Sequence, residues 1–298
     1  LQIEDPLLFE VQSGQSVKSI AHDLSQNNLF IDNSILPAPL VFEATIRFIK
    51  NDDHLKAGEY EIKPKMSMND LIDLFQSGKT YQRSLTIPEG LTVKQIIPLI
   101  ENAKGLEGHI TTTPEEGRLL PQTYFYSKGD SRDSLLKRMK DDKLKLLNEL
   151  WQNRSKDLPY KTPDEALILA SIVERETGVG MERAKVAGVF INRLKKGMKL
   201  QSDPTVIYPL SDGLGVLDRP LYRSDWKLES PYNTYYVTGL PPTPIANPGE
   251  ASLRAVFNPE HHDYIYFVAN GTGGHSFSKT LEEHNKNVEK WRKIRDKK

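Results

Sequence analysis

The amino-acid sequence predicts an α+β fold, in which a small strand-turn-helix module precedes a larger, mixed, helix-rich domain with a C-terminal β-hairpin. Three observations predict it: strand-turn-helix repeats in the first third, capped helical segments in the middle, and a strand-turn-strand pattern near the end. The 298 residues are enough for two domains at roughly 100 to 200 residues each. We place the boundary between residues 1–80 and 81–298, with a loop-rich connection at 101–122.

A sixteen-residue pattern occurs three times without gaps. The copies are Phe9–Leu24, Tyr60–Phe75 and Leu85–Ile100. Each opens with two alternating apolar residues, continues through a Gly- or Pro-containing turn, and then has a Ser or Thr placed to cap a helix. The predicted cap residues are Ser16, Ser67 and Thr92. One unit is too short to bury its own apolar face, so a strand of one copy should pair with a strand of another.

The first two copies resemble the strand-to-helix entry of the LysM fold, a family of peptidoglycan- and chitin-binding modules. The resemblance implies a LysM-like module at residues 1–80. An alternative stays open, because so short a pattern also suits an α+β module that only positions its neighbour.

Helical patterns dominate the middle of the chain. An amphipathic helix is predicted over Ser131–Trp151, and Thr162-Pro163-Asp164-Glu165 forms a capping signature that opens a helix ending near Glu176. A second helix should cover Met181–Lys196, with Gly197 as its terminator.

Later segments repeat these signals. Asp203-Pro204 and Asn247-Pro248 are each predicted to cap and open a short helix. Two short strands around Asn270-Gly271 predict the hairpin, and Thr280 with Glu283 predicts the start of a last helix.

Composition excludes several functions. The 40 basic and 40 acidic residues balance, so no overall charge favours nucleic acid. The chain has no cysteine, which rules out disulfides, thiol catalysis and thiolate-bound zinc. No uninterrupted apolar stretch could span a membrane, but the sequence begins at Leu1 rather than Met, which is consistent with the removal of a signal or an anchor segment.

Glu174 is the leading catalytic candidate. The helix that carries it is apolar nearly all round, so burial should favour the neutral acid, and the negative end of the helix dipole acts in the same direction. A general acid needs that proton near neutral pH. The alternative is a buried ion pair with Arg175, Arg183 or Arg193. Glu176 projects about 200° away from Glu174, and we assign it structural support.

Two polar segments are candidates for binding sugars. In the first, Asp203 is expected to cap a helix, whereas Gln201, Ser202 and Thr205 suit hydrogen bonds to hydroxyl or N-acetyl groups. The second contains Tyr232, Asn233 and Tyr235, which combine aromatic faces with an amide.

The histidines do not indicate a metal site. His261 and His262 are adjacent and would diverge, and none of the histidines has the spacing of a zinc-binding helix. We therefore predict neither a metal nor a cofactor.

Several long motifs occur in order: LILASIVERET, VFINRL, GMKLQSDPTVIYPL, SPYNTYYVTGLPPTPIANPG, SLRAVF, YFVANGTGGHSFS and HNKNV. Together they resemble the YceG-like family of endolytic murein transglycosylases, over roughly Leu167–Val288. The N-terminal repeats look like the LysM-like region of the same family.

The resemblance implies a lyase that cuts nascent glycan strands between N-acetylmuramic acid and N-acetylglucosamine and leaves 1,6-anhydro ends. By position, Glu174 would act first as acid and then as base, and the C6 hydroxyl of the substrate would be the nucleophile. Gln201, Ser202, Asp203, Thr205, Tyr232, Asn233 and Tyr235 would line the glycan cleft.

The resemblance also implies partners and a location. Peptidoglycan strands would be the substrate, and penicillin-binding synthases and division or elongation proteins would be partners. An N-terminal helix would anchor the protein in the cytoplasmic membrane with this portion on the periplasmic, extracytoplasmic side. The alternatives are a non-catalytic peptidoglycan-binding scaffold and a metal-dependent hydrolase.

Overall fold

A computed structural model describes residues 3–30, 36–50 and 54–296 of the chain. The chain divides into two compact units. Unit 1 comprises residues 1–84, 104–107 and 125–131, and unit 2 comprises residues 85–103, 108–124 and 132–298. Helices and short antiparallel strand pairs, one of them near the C-terminus, confirm the α+β class. The boundary at residues 80 and 81 stays a prediction.

Unit 1 is built on one antiparallel strand pair. Its elements are β1 (Leu7–Val11), α1 (Val17–Gln26), α2 (Ala38–Ala44), a π-helical turn (Thr45–Lys50), β2 (Gly58–Ile62) and α3 (Met68–Ser77). β1 pairs with β2 so that Phe9 lies opposite Tyr60. The ring of Phe75 packs on both, with centroid distances of 5.9 Å to Phe9 and 4.9 Å to Tyr60. The predicted pairing of a strand of one copy with a strand of another is confirmed for the first two copies.

The predicted caps begin the repeat helices. Ser16 Oγ accepts the Ser19 N–H, and Ser67 forms a reciprocal capping box with Asp70. Thr92 is the N-cap of α4 (Val93–Glu101). The third repeat nevertheless differs, because its strand β3 (Arg83–Thr86) pairs with β4 (Thr123–Tyr126) and not with another repeat. Sequence periodicity could not reveal β4, which follows the loop-rich segment.

Unit 2 contains the predicted helices and the hairpin. After α4 come α5 (Arg132–Gln152), α6 (Pro163–Glu176), α7 (Arg183–Lys195), α8 (Pro204–Leu210), α9 (Glu250–Phe257), β5 (Tyr266–Ala269), β6 (His275–Ser278) and α10 (Leu281–Arg295). Two 3-10 turns cover Gly180–Glu182 and Asp225–Lys227. Residues 102–122 form turns and bends around one isolated bridge at Glu107.

Helix α6 lies at the centre of unit 2. Every side chain from Ala166 to Val173 is buried, and α6 packs against α7 and α9. Thr162 caps the helix by accepting the Glu165 N–H, and Pro163 occupies its first position. Glu174 and Glu176 both lie in the last turn of this buried helix.

One predicted helix start is wrong. Helix α9 begins at Glu250 with Gly249 as its N-cap, rather than with Asn247. The buried Asn247 side chain instead accepts the Leu119 N–H and donates to the Leu91 carbonyl and to Glu116. These contacts tie distant loops together, which a local capping rule does not anticipate.

Within the described parts of the chain, no helix is long and apolar enough to cross a lipid bilayer.

Candidate active site

A cavity of about 400 Å³ opens in unit 2 at the C-terminal end of α6. We call it the Glu176 cavity. Its polar lining includes Glu176, Arg193, Gln201 and Asp203, and its aromatic lining includes Trp226, Tyr235, Phe267, His284 and Trp291. The residues come from α6, α7, the loop before α8, the segment around Trp226, the hairpin and α10, so tertiary folding assembles the site.

Glu176 contributes a carboxyl group with a raised pKa to the lining of this cavity. Burial raises its pKa, and the Ser202 hydroxyl opposes that rise by donating a hydrogen bond to Glu176 Oε2 at 2.7 Å. The negative charge of Asp203 raises the pKa further, whereas His275 and Arg193 lower it. Glu176 therefore keeps its proton to a higher pH than an ordinary glutamic acid.

A strained turn presents Ser202 to Glu176. Gln201 has a left-handed φ of 51°, a conformation that costs a non-glycine residue free energy, and its N–H donates to the Thr234 carbonyl. The Thr205 hydroxyl lies 2.8 Å from that of Thr234, which accepts the Ser202 N–H. This buried network fixes the turn and leaves the Gln201 side chain exposed at the cavity.

Asp203 joins two aromatic side chains. Its Oδ1 accepts a hydrogen bond from Tyr235 Oη at 2.8 Å and another from Trp226 Nε1 at 3.1 Å. Asp203 is the N-cap residue of α8, as predicted, but its side chain makes no capping hydrogen bond. The Asp203 carboxylate instead accepts hydrogen bonds from the two aromatic side chains, which the tertiary fold places beside it.

Arg193 closes the inner side of the cavity. The guanidinium donates to the carbonyls of Leu200 at 2.7 Å and Ile265 at 2.6 Å, and it lies over the Tyr266 ring. These contacts anchor the strained turn and the hairpin to α7. The group is buried, and it contributes a positive charge near Glu176.

Glu174 faces a different set of neighbours. Its side chain is 5% exposed, Oε2 accepts the Gly249 N–H at 2.8 Å, and Oε1 lies 3.5 Å from the Arg183 guanidinium. The same guanidinium lies 3.6 Å from Glu89. Burial raises the pKa of Glu89, and the charge of Glu174 raises it further. The ion-pair alternative for Glu174 is thus present, with Arg183 as the partner.

A buried lysine lies on the Glu174 side as well. Lys143 Nζ donates to the Pro248 carbonyl at 2.5 Å, and burial lowers its pKa to about 7 against the opposing charges of Glu174 and Glu89. Together, Lys143, Arg183, Glu89 and Glu174 form a charge network, which we call the Glu174 network.

The predicted sugar-binding residues divide into three groups. Gln201, Asp203 and Tyr235 line the Glu176 cavity, and Ser202 is buried but bonded to Glu176. Thr205 and Asn233 are fully buried and bonded within the protein, so the structure gives them internal partners and their predicted sugar contacts stay a prediction.

Tyr232 lies elsewhere. Its ring packs 5.1 Å from that of Tyr208, and it lines another cavity that includes Glu116. Burial raises the pKa of Glu116 to about 7.

Sequence reasoning missed Glu176, Trp226 and Arg193 as site residues. The calculated angle of 200° between Glu174 and Glu176 correctly separates them, but it cannot say which side faces a cavity. Trp226 lies after a Pro- and Arg-containing segment and belongs to no recognised motif, so no signal in the sequence showed that it lines a site.

The histidines have other partners. His262 lies 2.9 Å from the Lys185 carbonyl, and His275 lies 2.7 Å from Glu182. Across residues 3–30, 36–50 and 54–296, no group of three or more His, Cys, Asp or Glu side chains is placed to hold a metal ion.

A partly buried glutamic acid beside an open cavity walled by aromatic rings is typical of enzymes that cleave glycosidic bonds. The sequence pattern of the YceG-like family matches residues 9–290, and the chain belongs to that family.

Similar proteins agree with this assignment. The endolytic murein transglycosylase of Bacillus subtilis (strain 168) is 32% identical, and the alignment covers 95% of this chain and 84% of that protein. The endolytic murein transglycosylase of Streptococcus pneumoniae serotype 2 is 28% identical over 93% of this chain, which spans 57% of that longer protein. The crystal structure of a YceG-like protein from Listeria monocytogenes superposes with a TM-score of 0.58 at 32% identity, covering 95% of this chain and 99% of that one.

Proposed function

We propose that this chain is an endolytic murein transglycosylase, a lyase that cleaves peptidoglycan strands internally, with Glu176 as its acid and base. The names of the relatives support the reaction class. The position of Glu176 at the cavity, with its raised pKa, carries the assignment of the acid.

Glu176 can perform both proton transfers of the reaction. As an acid it protonates the glycosidic oxygen while the bond from that oxygen to C1 of N-acetylmuramic acid breaks. As a carboxylate it then takes the proton of the C6 hydroxyl, whose oxygen attacks C1 and closes the 1,6-anhydro ring. The proton returns to Glu176, and no water is consumed, so a second carboxylate to activate water is not needed.

The neighbours of Glu176 suit this cycle. Ser202 Oγ stabilises the carboxylate form with its hydrogen bond, and the burial that opposes ionisation favours the proton donor form. Because the two influences oppose each other, neither protonation state is locked. The Glu174 carboxylate, in contrast, is occupied by the Gly249 N–H and by Arg183.

The prediction that Glu174 is the catalytic residue therefore gives way, in this proposal, to Glu176. Gln201 is exposed at the same cavity and supplies amide groups for hydroxyl or N-acetyl contacts.

Product analysis tests the reaction type. Wild-type protein incubated with purified peptidoglycan should release fragments that end in 1,6-anhydro sugars, which mass spectrometry finds one water lighter than hydrolysis products. Reducing ends would show a hydrolase instead. A complete lack of products, together with sedimentation on peptidoglycan that survives Glu176→Gln, would support the scaffold alternative.

A LysM-like role for unit 1 is part of the proposal. The order β1-α1-α2-β2, with the two strands paired antiparallel, supports it. If residues 1–80 fold alone, as circular dichroism can verify, they should sediment with insoluble peptidoglycan. A folded fragment that stays in the supernatant would favour a purely positioning role.

The substrate also suggests the compartment. We propose an extracytoplasmic location beside the cytoplasmic membrane, where glycan strands are made, and penicillin-binding synthases as partners. Fractionation of cells that produce the protein, followed by crosslinking, would test the location and the partners in turn.

A further inference from the structure

Two aromatic rings at the Glu176 cavity lie almost parallel. The centroids of Trp226 and Tyr235 are 5.0 Å apart, with an angle of 11° between the ring planes. At this separation the parallel rings form an offset stack, one of the preferred arrangements of aromatic pairs, and both rings line the cavity rather than a core.

Two side chains hold the pair from opposite ends. Asp203 Oδ1 accepts from both ring tips, Trp226 Nε1 and Tyr235 Oη. Asn233, which is fully buried, donates to the backbone carbonyl of Trp226 at 3.0 Å and accepts the backbone N–H of Tyr235 at 2.9 Å. The orientation of the rings is therefore fixed at the backbone and at the tips before any ligand binds.

The pair remains accessible despite these clamps. Trp226 is 36% exposed, although a tryptophan is among the side chains that gain most from burial. Because Tyr235 covers one face of the indole, the exposed part includes its outer face or edge. An accessible, rigid aromatic surface of this kind matches the apolar face of a pyranose ring, and Gln201 and Asp203 provide polar groups at its rim.

We propose that Trp226 and Tyr235 form a preorganised platform that stacks one N-acetylhexosamine ring of the glycan, with Asp203 and Asn233 as its positioning residues. The inference rests on the proposed function, since it places that ring beside the Glu176 carboxyl. It assigns Asn233 a role in holding the platform instead of contacting sugar.

Calorimetry with the Glu176→Gln variant separates binding from turnover. The probe is soluble glycan strands stripped of their stem peptides. Adding Trp226→Ala should raise Kd roughly tenfold. Asp203→Ala should also weaken binding, whereas Asp203→Asn keeps an oxygen acceptor and should bind within about twofold of the parent. Trp151→Phe is the matched control, because Trp151 packs against Phe257 and Arg154 instead.

A second measurement does not depend on the stability of the alanine variant. The chain has three tryptophans, so Trp151→Phe with Trp291→Phe leaves Trp226 as the sole indole fluorophore, and calorimetry verifies that this variant still binds glycan, since Trp291 also lines the cavity. Saturating glycan should shift its emission and protect it from acrylamide quenching. An unchanged emission, or a Trp226→Ala variant that binds like the parent, would overturn the platform.

The outcomes also separate the platform from the proposed function. Binding that depends on Trp226 in a protein that yields no anhydro products would refute the lyase and leave the platform standing. If the protein forms anhydro products but Trp226→Ala does not change its affinity for glycan, only the platform is refuted. A parent that binds no glycan would overturn both.

Discussion

Glu174 and Glu176 lie two residues apart in the last turn of α6, yet they have opposite surroundings. Glu174 is enclosed by the Arg183 guanidinium and the Gly249 N–H, whereas Glu176 lies at an open cavity with a serine hydroxyl as its hydrogen-bond donor. The helix is the same for both, so its dipole and its burial cannot distinguish them. The difference comes from other segments of the fold, since Arg183 and Gly249 contact Glu174, whereas Ser202 and an open cavity lie beside Glu176.

The pH dependence of activity should expose the Glu176 side of this comparison. A general acid must be protonated, and the pKa of Glu176 is raised, so kcat/KM should stay high well above the usual range of a glutamic acid. It should then fall about tenfold for each further pH unit, or roughly a hundredfold over two units. A profile whose activity already falls near pH 4.5 would mean that the acid is an ordinary solvated carboxyl.

Lys143→Met should act on the Glu174 network alone. The wild-type lysine has a pKa lowered to about 7, so between pH 7 and its unfolded value the unfolded state binds more protons, and wild-type stability rises with pH. The variant lacks that contribution. Lys143→Met should therefore gain stability relative to wild type at pH 6 compared with pH 9, with a difference in the free energy of unfolding of about 3 kcal/mol between the two pH values.

Chemical denaturation at both pH values measures the Lys143 effect. Lys145→Met, on the same helix but on its exposed side, is the matched control. Identical pH dependence in Lys143→Met and wild type would contradict a buried, weakly basic Lys143.

Glu174→Gln should lower stability more than it lowers the rate of cleavage. The amide can still accept the Gly249 N–H but leaves the largely buried Arg183 with less countercharge, which should cost about 1–2 kcal/mol in the free energy of unfolding. Thermal melts measure the loss, and kcat per folded molecule should stay within a few-fold of wild type. A stable but inactive variant would return the catalytic role to Glu174.

Two substitutions beside Glu176 should move its titration in opposite directions. Ser202→Ala removes a hydrogen bond that lowers the pKa of Glu176, so the alkaline limb of the kcat/KM profile should move to higher pH. Asp203→Asn removes a negative charge that raises this pKa, so the limb should move to lower pH. Shifts of about half a pH unit are expected. A shift of the alkaline limb in the same direction in both variants would contradict the proposed surroundings of Glu176.

Local sequence patterns predicted the elements well. The Thr162-Pro163 signature gave the start of α6, Thr280 with Glu283 gave that of α10, and the alternating strands gave the hairpin, because caps and periodicity depend on neighbours in sequence. The pairing of β3 with β4 depends on tertiary folding, and it was not anticipated.

The site was predicted less well, because its contacts also depend on tertiary folding. The segments around Gln201 and Tyr235 were recognised, but Thr205 and Asn233 have small polar side chains that suit both sugar contacts and internal hydrogen bonds. Only the tertiary structure shows their complete burial, which favours the internal hydrogen bonds. Trp226 joins the site through Asp203 and Asn233, partners that no spacing rule connects.

The most direct test of the account compares Glu176→Gln with Glu174→Gln in one assay. Each folded variant is incubated with purified peptidoglycan, and the rate at which 1,6-anhydro ends form is measured by liquid chromatography and mass spectrometry. Removal of the acid should slow Glu176→Gln by roughly 10²- to 10⁴-fold, while Glu174→Gln stays within a few-fold of wild type. Anhydro ends formed by Glu176→Gln at the wild-type rate would contradict the central claim.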